Sequence, residues 1–423
     1  MEENQHTEVR YQADILVVGA GIAGVSTALE AAETGYSVIL VEKNPYIGGR
    51  VVQLNEYFPK LCPPTCGMEI NTRRLKDNSK INLITQATVS EIKGSKGNYK
   101  IKIKEKPRFV TNRCTACNEC VAVCPEERPN DFNLGIDKTK AIYLPFNNCY
   151  PQKYVIDPDT CTGESCAKCV KACQYDAIDL TMKAEEYMLE VKSVVWATGW
   201  DPYDAKKLDK LGFGQYPNVI TNLMMERLAA PNGPTDGDIV IPGVDEINKV
   251  VFVQCAGSRD ENHLEYCSSI CCMASLKQAH YIRDRYKDAE IHIFYIDIRS
   301  PGFFEDFYKN IERDEKVFFH RGKVAKVLKN PDTNKLIVEA EDTLNGKLQQ
   351  MDVDLVVLAT GMQATAAKNG SPVKKYLDQN GFINDNEEIV GCGVCTSPKD
   401  VATTVQESTG AAMQAVLNLM EGK

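Results

Sequence analysis

The apolar positions at the start of the chain fall into short runs that predict a strand, a helix and a second strand. Ile15 to Val18 suits a buried parallel strand, Ala28 to Glu33 continues as a helix, and Val38 to Val41 predicts the next strand. The turn between the first strand and the helix reads GxGxxG, with glycines at Gly19, Gly21 and Gly24. This order of elements predicts a βαβ unit that binds a dinucleotide.

The residue types in this unit match the needs of such a ligand. The first two glycines allow a tight turn and a close approach of the backbone to pyrophosphate, and the third lets helix and strand pack. The helix N-terminus adds aligned N–H dipoles. Glu42 ends the second strand, where an acidic side chain accepts hydrogen bonds from a ribose, and Lys43 follows it. The continuation into Gly48, Gly49 and Arg50 resembles the FAD-binding type of Rossmann domain more than the NAD type.

The segment after this unit is predicted to be a loop from Val51 to Leu75, followed by strands. Two prolines separate Cys62 from Cys66 in the loop. A redox disulfide near a flavin and a structural pair of thiols are equally compatible with that spacing. Alternation predicts strands from 81 to 90 and from 99 to 103. We expect backbone near Val89 to reach the adenine of the cofactor.

The composition changes abruptly at Arg113, where closely spaced cysteines begin. The first set has the spacing CxxCxxCxxxCP and consists of Cys114, Cys117, Cys120 and Cys124. The second set consists of Cys161, Cys166, Cys169 and Cys173. Such a run wraps three thiolates around one [4Fe-4S] cluster and sends the fourth to a neighbouring cluster. A zinc site needs only four sulfurs and predicts neither the proline nor a second set.

If the two sets are crossed, each cluster takes three ligands from one set and one from the other. One cluster is then expected at Cys114, Cys117, Cys120 and Cys173, and the other at Cys124, Cys161, Cys166 and Cys169. The second set departs from the usual pattern, because four residues separate Cys161 from Cys166 and Gln174 stands where proline is usual. Cys149, in the connection between the sets, is therefore an alternative ligand.

Two later strands end in the same three letters. Ser193 to Gly199 and Leu355 to Gly361 are both strands that finish in ATG. In flavoproteins with two dinucleotide domains, such strands mark where the chain passes between domains. Thr198 and Gly199 are therefore candidate cofactor contacts, and the cysteine-rich piece before them reads as an insertion in the flavin domain.

The region between the two ATG strands repeats the βαβ pattern with a different turn. Lys249 to Gln254 and Ile291 to Asp297 are predicted strands, and Ala274 to Tyr286 is a predicted helix. The turn has no glycine triplet and holds instead Cys255, Cys267, Cys271 and Cys272. One interpretation is a third metal centre in place of an NAD(P)H site, so that electrons arrive through clusters and not as hydride. The other is a thiol-rich loop or a redox disulfide.

The closing segment predicts a strand end at 389–391, a turn at 397–400 and a helix from Thr403 to Met420. Helix N-termini in this position of flavoproteins face the flavin ring and its ribityl chain. Gly391, Asp400 and Val405 are therefore candidate flavin neighbours. Cys392 and Cys395 have no matching pair nearby, which favours packing or tuning over ligation.

Length, net charge and composition limit the classes of protein to which the chain can belong. A chain of 423 residues is long enough for two or three domains, and a net charge of −9 without a basic block argues against a nucleic-acid partner. No apolar run is long enough for a membrane span, and the polar start is unlike a signal peptide. We therefore expect a cytoplasmic protein, in which 17 grouped cysteines indicate metal rather than disulfides.

These motifs together resemble the flavoprotein A subunits of heterodisulfide reductase and of the quinone-interacting membrane-bound oxidoreductase of sulfate reducers. The resemblance covers nearly the whole chain. It is carried by GAGIAG with GGR, the ferredoxin-like insert, CAGSRDENHLEYCSSICCM, GFFEDFYKN and GCGVCTSPKDVATTVQEST. It implies that Cys255, Cys267, Cys271 and Cys272 hold an unusual iron–sulfur cluster. It also implies that Lys277 lies near the flavin and tunes it.

The resemblance implies a thioredoxin-reductase-like α/β flavoprotein of two Rossmann-type domains with a two-cluster ferredoxin-like insert. The expected division is an FAD domain at 1–108, 183–246 and 365–423, the insert at 109–182, and a degenerate NAD(P)-type domain at 247–364. The heterodisulfide reductase subunits carry further regions at both ends, so the extent of this chain favours the quinone-linked relative.

The expected function is that of an oxidoreductase subunit that passes electrons between menaquinol and adenylylsulfate reductase in dissimilatory sulfate reduction. Its expected partners are a second subunit with flavin and iron–sulfur clusters, and a haem-bearing membrane subunit, which would attach it to the inner face of the membrane. One alternative is a heterodisulfide-reductase-type subunit that performs flavin-based electron bifurcation or confurcation. Another is an NAD(P)H-dependent FAD oxidoreductase, against which the missing glycine turn argues.

Overall fold

The computed structural model describes residues 8–333, 335–343, 346–384 and 386–421, so the polar start at residues 1–7 lies outside the described residues. The first part contains β1 (Val9–Val18), α1 (Ile22–Glu33), β2 (Val38–Glu42), α2 (Pro64–Asp77), β3 (Ile81–Thr85), β4 (Ala87–Ser95) and β5 (Asn98–Glu105). The predicted βαβ unit is confirmed. The predicted loop up to Leu75 was wrong, because Pro64 begins α2. Proline is favoured at a first helical position, where its missing N–H costs nothing.

The cysteine-rich region that follows has little regular structure. Its elements are α3 (Glu119–Ala122), β6 (Glu127–Pro129), β7 (Lys138–Lys140), β8 (Ile142–Tyr143), β9 (Val155–Ile156) and α4 (Lys168–Ala172). Two antiparallel pairs, β6 with β7 and β8 with β9, frame it. Its small core consists of Val110, Ile142, Tyr154, Ile156 and Ile178 together with Cys120 and Cys169. A core this small is expected to need a further source of stability, such as disulfides or bound metal.

The rest of the chain is more regular. It begins with β10 (Glu185–Trp196), β11 (Trp200–Pro202), β12 (Val219–Thr221), α5 (Asn222–Ala229), β13 (Lys249–Ala256), α6 (Cys271–Arg285), β14 (Glu290–Tyr295), α7 (Phe304–Glu312) and β15 (Val317–Arg321). It ends with β16 (Val324–Lys329), β17 (Leu336–Asp342), β18 (Lys347–Val353), β19 (Leu355–Thr360), β20 (Met362–Ala364), β21 (Val390–Gly391) and α8 (Val401–Glu421).

The first sheet is built from three separate parts of the chain. Its strand order is β3-β2-β1-β10-β5-β4, and β21 also pairs with β10. The strands β2, β1, β10 and β21 are parallel, whereas β5 is antiparallel to β10. Both faces of β1 are buried, as its continuous apolar run predicted: Ile15 and Val17 pack with α1 and α8, and Leu16 packs on the other side.

The second sheet has five parallel strands in the order β12-β19-β13-β14-β15. The helices α5 and α6 cover one face, where Phe252 packs with Leu276. The antiparallel sheet of β16, β17 and β18 lies over the other face, where Val253 packs with Val338. The predicted second βαβ pattern is confirmed, and α6 begins at Cys271, three residues before the predicted start at Ala274.

The two sheets are joined by a short antiparallel pair, β11 with β20, and each of these strands directly follows an ATG sequence. The chain therefore passes on from the first sheet just after Gly199 and leaves the second sheet just after Gly361. Within the described residues, no helix combines the length and the apolar composition that crossing a bilayer requires.

Candidate cofactor cleft and cysteine sites

A long cleft runs from the carboxyl ends of the first parallel strands to the face of α6. Ligands of open α/β sheets bind at this edge, because loops diverge there and leave a crevice. Most of the residues that the sequence predicted as cofactor contacts line it: Gly19, Gly21, Glu42, Lys43, Gly49, Arg50, Val89, Thr198, Gly199, Lys277 and Asp400. The cleft is therefore lined by residues from each part of the chain that carries a flavoprotein motif.

The glycine-rich turn is packed too closely for side chains at two of its positions. Gly19 has a φ of +100°, and a Cβ there would lie 2.5 Å from the carbonyl oxygen of Ala197. A Cβ on Gly24 would lie 1.8 Å from the carbonyl oxygen of Gly19. Gly24 therefore lies beneath the turn and not in the cleft lining, which agrees with its predicted role in packing helix against strand.

Glu42 fixes the end of β2 to this turn. Its carboxylate is 4% exposed and accepts hydrogen bonds from the backbone N–H of Ala20 (2.7 Å) and of Asn44 (2.8 Å). Burial raises the pKa of Glu42, and these two N–H groups act in the opposite direction. A carboxylate has about four lone-pair sites, so Glu42 retains acceptor capacity toward the cleft.

The wall of the cleft after β10 contains polar atoms without a partner. Among the described residues, Trp196 Nε1 and Thr198 Oγ1 are buried and make no hydrogen bond. A buried polar group without a partner costs about 1–3 kcal/mol, so these atoms fit a site that a polar ligand fills. Arg50 is held beside them by Asp201, with 2.6 Å between its guanidinium and the carboxylate.

At the other end of the cleft, Glu226 on α5 accepts four hydrogen bonds while only 2% exposed. The donors are Lys277 Nζ (3.0 Å), Gln278 Nε2 (2.6 Å), the backbone N–H of Asn55 (3.0 Å) and the Tyr281 hydroxyl (3.3 Å). The ammonium of Lys277 also donates to the carbonyl oxygen of Glu56. This network, the Glu226 cluster, joins α5 and α6 to the segment before α2.

Sequence reasoning found Lys277 but missed Glu226. The available signal was the pair Glu226-Arg227 inside the short helix α5, whose other residues are mostly apolar. Two adjacent charged residues on such a helix are expected to point to solvent, yet both are at most 2% exposed. Buried charges are almost always paired, so their positions indicate a specific partner.

The cysteine-rich insert contains two hollows, each lined by four cysteines. One is lined by Cys114, Cys117, Cys120 and Cys173, and the other by Cys124, Cys161, Cys166 and Cys169. This is the crossed grouping that the spacing predicted. Left-handed backbone at Ala116, Asn118 and Ala167 turns the chain sharply between successive cysteines. Four sulfurs around an apolar hollow match the donor set of a [4Fe-4S] cluster.

The other four predicted metal ligands gather where β13 ends and α6 begins. Cys271 and Cys272 are the first residues of α6, and Cys255, with a φ of +55°, is the next-to-last residue of β13. Burial raises the pKa of Cys255 to about 11, with further contributions from the neighbouring Cys272 and Cys267. Burial and the other three thiols likewise raise the pKa of Cys271. These four cysteines are called the third cysteine group below. Within the described residues, no three Cys, His, Asp or Glu side chains are grouped closely enough to hold a single metal ion.

The chain is similar to several known proteins. Residues 14–122 match the family of FAD dependent oxidoreductases. The whole chain is 38% identical to the iron-sulfur A subunit of CoB–CoM heterodisulfide reductase from Methanocaldococcus jannaschii, covering 67% of that protein. It is also 38% identical over its whole length to the A subunit of the H(2):CoB-CoM heterodisulfide,ferredoxin reductase of Methanothermobacter thermautotrophicus, covering 66% of that protein.

The chain belongs to the family of heterodisulfide reductase A subunits. It spans about two thirds of the length of these two relatives. Thioredoxin reductases share the fold of this heterodisulfide reductase homologue: the T. acidophilum enzyme aligns with a TM-score of 0.52 at 14% identity, covering 97% of this chain and 99% of the other. The Lactococcus lactis enzyme aligns with a TM-score of 0.55 at 13% identity, with the same coverage. The expected two-domain α/β fold of an FAD oxidoreductase is thereby confirmed.

Some predicted residues of the heterodisulfide reductase homologue lie away from the cleft. Gly391 lies on β21 beside Trp196, and Val405 is 39% exposed on α8. The cleft is reached instead by Val401 and Thr404, because one further residue turns a helix by about 100° and carries Val405 to the outer face.

The remaining cysteines take no part in the three groups of four. Cys149 is 2% exposed, lies outside both hollows and donates to the carbonyl oxygen of Pro151. Cys395 donates to the carbonyl oxygen of Trp196 over 2.8 Å, which agrees with the predicted packing role. Cys62 and Cys66 are exposed.

Proposed function

We propose that this chain is an FAD and iron–sulfur electron-transfer subunit, in which FAD lies in the cleft and clusters occupy the three cysteine groups. One observation carries this proposal: the cleft is bordered by both cysteine-bearing parts of the chain. Pro129, Asp131 and Leu134 of the insert line it on one side, and α6, which begins with two cysteines, lines it on another. Electron transfer needs such proximity between one-electron and two-electron carriers.

The residues of the cleft have distinct roles in this proposal. When bound, FAD accepts two electrons together and can release them singly. The turn from Gly19 to Gly24 and the N-terminus of α1 hold the pyrophosphate, and Glu42 holds the ribose. Lys277 places a positive charge at the inner end of the cleft, where its ion pair with Glu226 holds the ammonium in position.

Helix α6 supports a direct connection between the third cysteine group and the flavin. Cys271 begins the helix, whereas Ala274, Lys277 and Gln278 of the same helix line the cleft. A helix rises about 1.5 Å per residue, so Cys271 and Lys277 are separated by only about 9 Å along its axis. A cluster held by Cys255, Cys267, Cys271 and Cys272 would supply one-electron transfer beside the part of α6 that lines the cleft. The same four cysteines replace the glycine turn that a nicotinamide nucleotide needs.

A more specific proposal, which names the electron donor, the acceptor and the partner subunits, follows from the resemblance to the quinone-linked complex. In it, the chain passes electrons between menaquinol and adenylylsulfate reductase. Its partners are a second flavin subunit, and a haem-bearing membrane subunit that attaches it to the membrane. The division into an FAD domain (1–108, 183–246, 365–423), an insert (109–182) and a degenerate NAD(P)-type domain (247–364) is proposed with it.

A second candidate is flavin-based electron bifurcation. It is favoured by the name of the Methanothermobacter relative, which gives two electron acceptors, a heterodisulfide and ferredoxin. The two candidates differ in what reduces the chain: menaquinol delivered through a haem protein in the first, and a soluble donor with two simultaneous acceptors in the second.

Anaerobic purification of the chain tests the shared core of both candidates. We expect one FAD per chain on acid extraction and about four iron and four sulfide atoms for each cluster. A chain without FAD, or one that contains zinc in place of iron, would overturn the proposal. Purification from native membranes then separates the candidates, since only the first predicts a haem-containing partner.

A further inference from the structure

We propose that the side-chain amide of Gln254 donates a hydrogen bond to the iron–sulfur centre of the third cysteine group and thereby raises its reduction potential. This inference deepens the proposed function and rests on it. Gln254 is the residue directly before Cys255 on β13. Its role is to tune the centre and not to hold iron, since thiolates are the ligands that such clusters use.

Gln254 is a buried polar side chain that lacks a partner within the protein. It is 5% exposed, and neither Nε2 nor Oε1 makes a hydrogen bond. Among the described residues, it is the only amide side chain with both polar atoms buried and unpartnered. Each such atom costs about 1–3 kcal/mol. Because Val250 and Phe252 on the same face of the strand are apolar, an apolar side chain would suit this position better unless a bound group meets the amide.

The register of β13 directs Gln254 toward the start of α6. Side chains alternate along a strand, so Gln254 lies on the α6 face with Phe252, and Val253 lies on the other face. Phe252 packs with Leu276, and α6 runs antiparallel to β13 because it connects the parallel strands β13 and β14. Two strand residues rise about 6.6 Å, as do about four helical residues, so Gln254 is level with the first turn of α6, which contains Cys272.

The chemistry of an amide suits this group of four sulfurs. Thiolate and sulfide accept hydrogen bonds, and the amide nitrogen carries two N–H donors. One donor to the group is already present, since the backbone N–H of Ser269 donates to Cys267 Sγ over 3.3 Å. A cluster held by four thiolates is anionic, and its reduced form carries more negative charge. A donor therefore stabilises the reduced form more than the oxidised form, which raises the reduction potential.

The Gln254→Met variant tests this in the anaerobic holoprotein, because methionine keeps the length of the side chain and has no N–H donor. In a redox titration followed by EPR, the third centre is the signal that Cys271→Ser eliminates. At a fixed potential, we expect the ratio of its reduced to its oxidised form to fall roughly tenfold in Gln254→Met, which is a lowering of about 59 mV for a one-electron couple. The iron content and the potentials of the insert clusters should stay unchanged.

A second measurement uses the unsubstituted chain and so does not depend on how a variant folds. The protein is labelled with ¹⁵N at the side-chain amides of glutamine only, reduced, and studied by pulsed EPR. We expect a nitrogen coupling on the signal of the third centre. Absence of this coupling would overturn the proposal, whatever the variant shows.

The matched control is Asn218→Leu. Asn218 is 2% exposed, and its amide oxygen is also unpartnered, but it directly precedes β12 at the opposite edge of the same sheet. This substitution should leave the potential of the third centre unchanged. An unchanged potential in Gln254→Met, or an equal shift in both variants, would rule out the role given to Gln254. If Cys271→Ser instead fails to lower the iron content of the wild type, the third centre and the proposed function are wrong, so the two failures are distinguishable.

Discussion

Arg227 on α5 donates a hydrogen bond from Nε to Asn133 Oδ1 of the insert over 2.9 Å. Its guanidinium also donates to the carbonyl oxygens of Gln53 (3.2 Å) and Asn232 (2.9 Å) and lies over the ring of Phe132. The residue is fully buried, and burial lowers its pKa to about 10. One side chain thus joins the second sheet's helix layer, the insert and the segment after Arg50.

We expect Arg227→Met to lower the free energy of unfolding by roughly 3 kcal/mol, because the buried acceptors on Asn133 and Gln53 lose their donor. Chemical denaturation of the holoprotein measures this. The exposed Arg73 has one surface partner, so Arg73→Met should change the same free energy by less than about 0.5 kcal/mol. Equal effects of the two substitutions would contradict the role given to Arg227.

The crossed grouping of the insert cysteines predicts which cluster each substitution removes. Cys173→Ser should eliminate the cluster held with Cys114, Cys117 and Cys120, although Cys173 belongs to the other run in sequence. Iron analysis should show a loss of about four atoms per chain, and the low-temperature EPR spectrum of the reduced protein should lose one component. Cys149→Ser is the control, since Cys149 lies outside both hollows, and it should retain the full iron content.

Removal of the positive charge at Lys277 should make reduction of the flavin harder. We expect Lys277→Met to lower the midpoint potential on the order of 30–60 mV, which corresponds to about 1.4–2.8 kcal/mol for a two-electron couple. The substitution also leaves Glu226 buried without a counter-ion, so the double variant Glu226→Gln/Lys277→Met separates the charge effect from instability. Redox titration of both variants is the measurement. An unchanged potential in both would show that Lys277 does not act on the flavin.

The long cysteine-containing turn predicts that NADH does not reduce the flavin. The side chain of Tyr203 packs against this turn and leaves little room there for a nucleotide. A Cβ on Gly257 would lie 2.5 Å from the Tyr203 ring, and the Tyr203 hydroxyl forms a hydrogen bond with His263 over 2.7 Å. Anaerobic mixing with excess NADH should leave the flavin absorbance unchanged, whereas dithionite should bleach it. Rapid bleaching by NADH would favour the nicotinamide-dependent alternative.

A histidine pair in the second sheet predicts a pH dependence of stability. His292 Nδ1 lies 2.9 Å from His320 Nε2, and burial, together with the charge of His320, lowers the pKa of His292 to about 4. The unfolded chain binds a proton at higher pH than the folded one, so stability is lost as the pH falls from about 6.5 to about 4. Between these two pH values, we expect the free energy of unfolding of His292→Phe to fall by roughly 1–3 kcal/mol less than that of the wild type. Superimposable pH profiles of unfolding for variant and wild type would contradict it.

Features that depend on residues close together in sequence could be predicted from the sequence. The apolar runs around Gly19 and around Cys255 marked both βαβ units, because buried parallel strands need continuous apolar sequence. Cysteine spacing predicted the two groups of four in the insert, since a cluster imposes its own geometry on a short loop. The helix α2 was missed because Pro63 and Pro64 suggest a loop, although proline also starts helices.

Contacts between segments far apart in sequence could not be predicted from such patterns. Glu226 meets Asn55 across 171 positions of sequence, and Arg227 meets Asn133 across 94. Neither pair shares a spacing or a motif, because such contacts depend on how the two sheets are placed relative to each other. The sequence therefore predicted most of the residues at the glycine-rich end of the cleft, but at the inner end it predicted only Lys277.

The attachment of the insert has a kinetic consequence. The chain leaves the first sheet at the end of β5 and returns at the start of β10, and these strands are hydrogen-bonded neighbours, with Glu105 opposite Glu185. Both ends of the insert are thus fixed at one place in the sheet. Transfer between an insert cluster and the cleft would be first order, with a rate independent of protein concentration and insensitive to ionic strength, unlike the encounter of a free ferredoxin with its reductase.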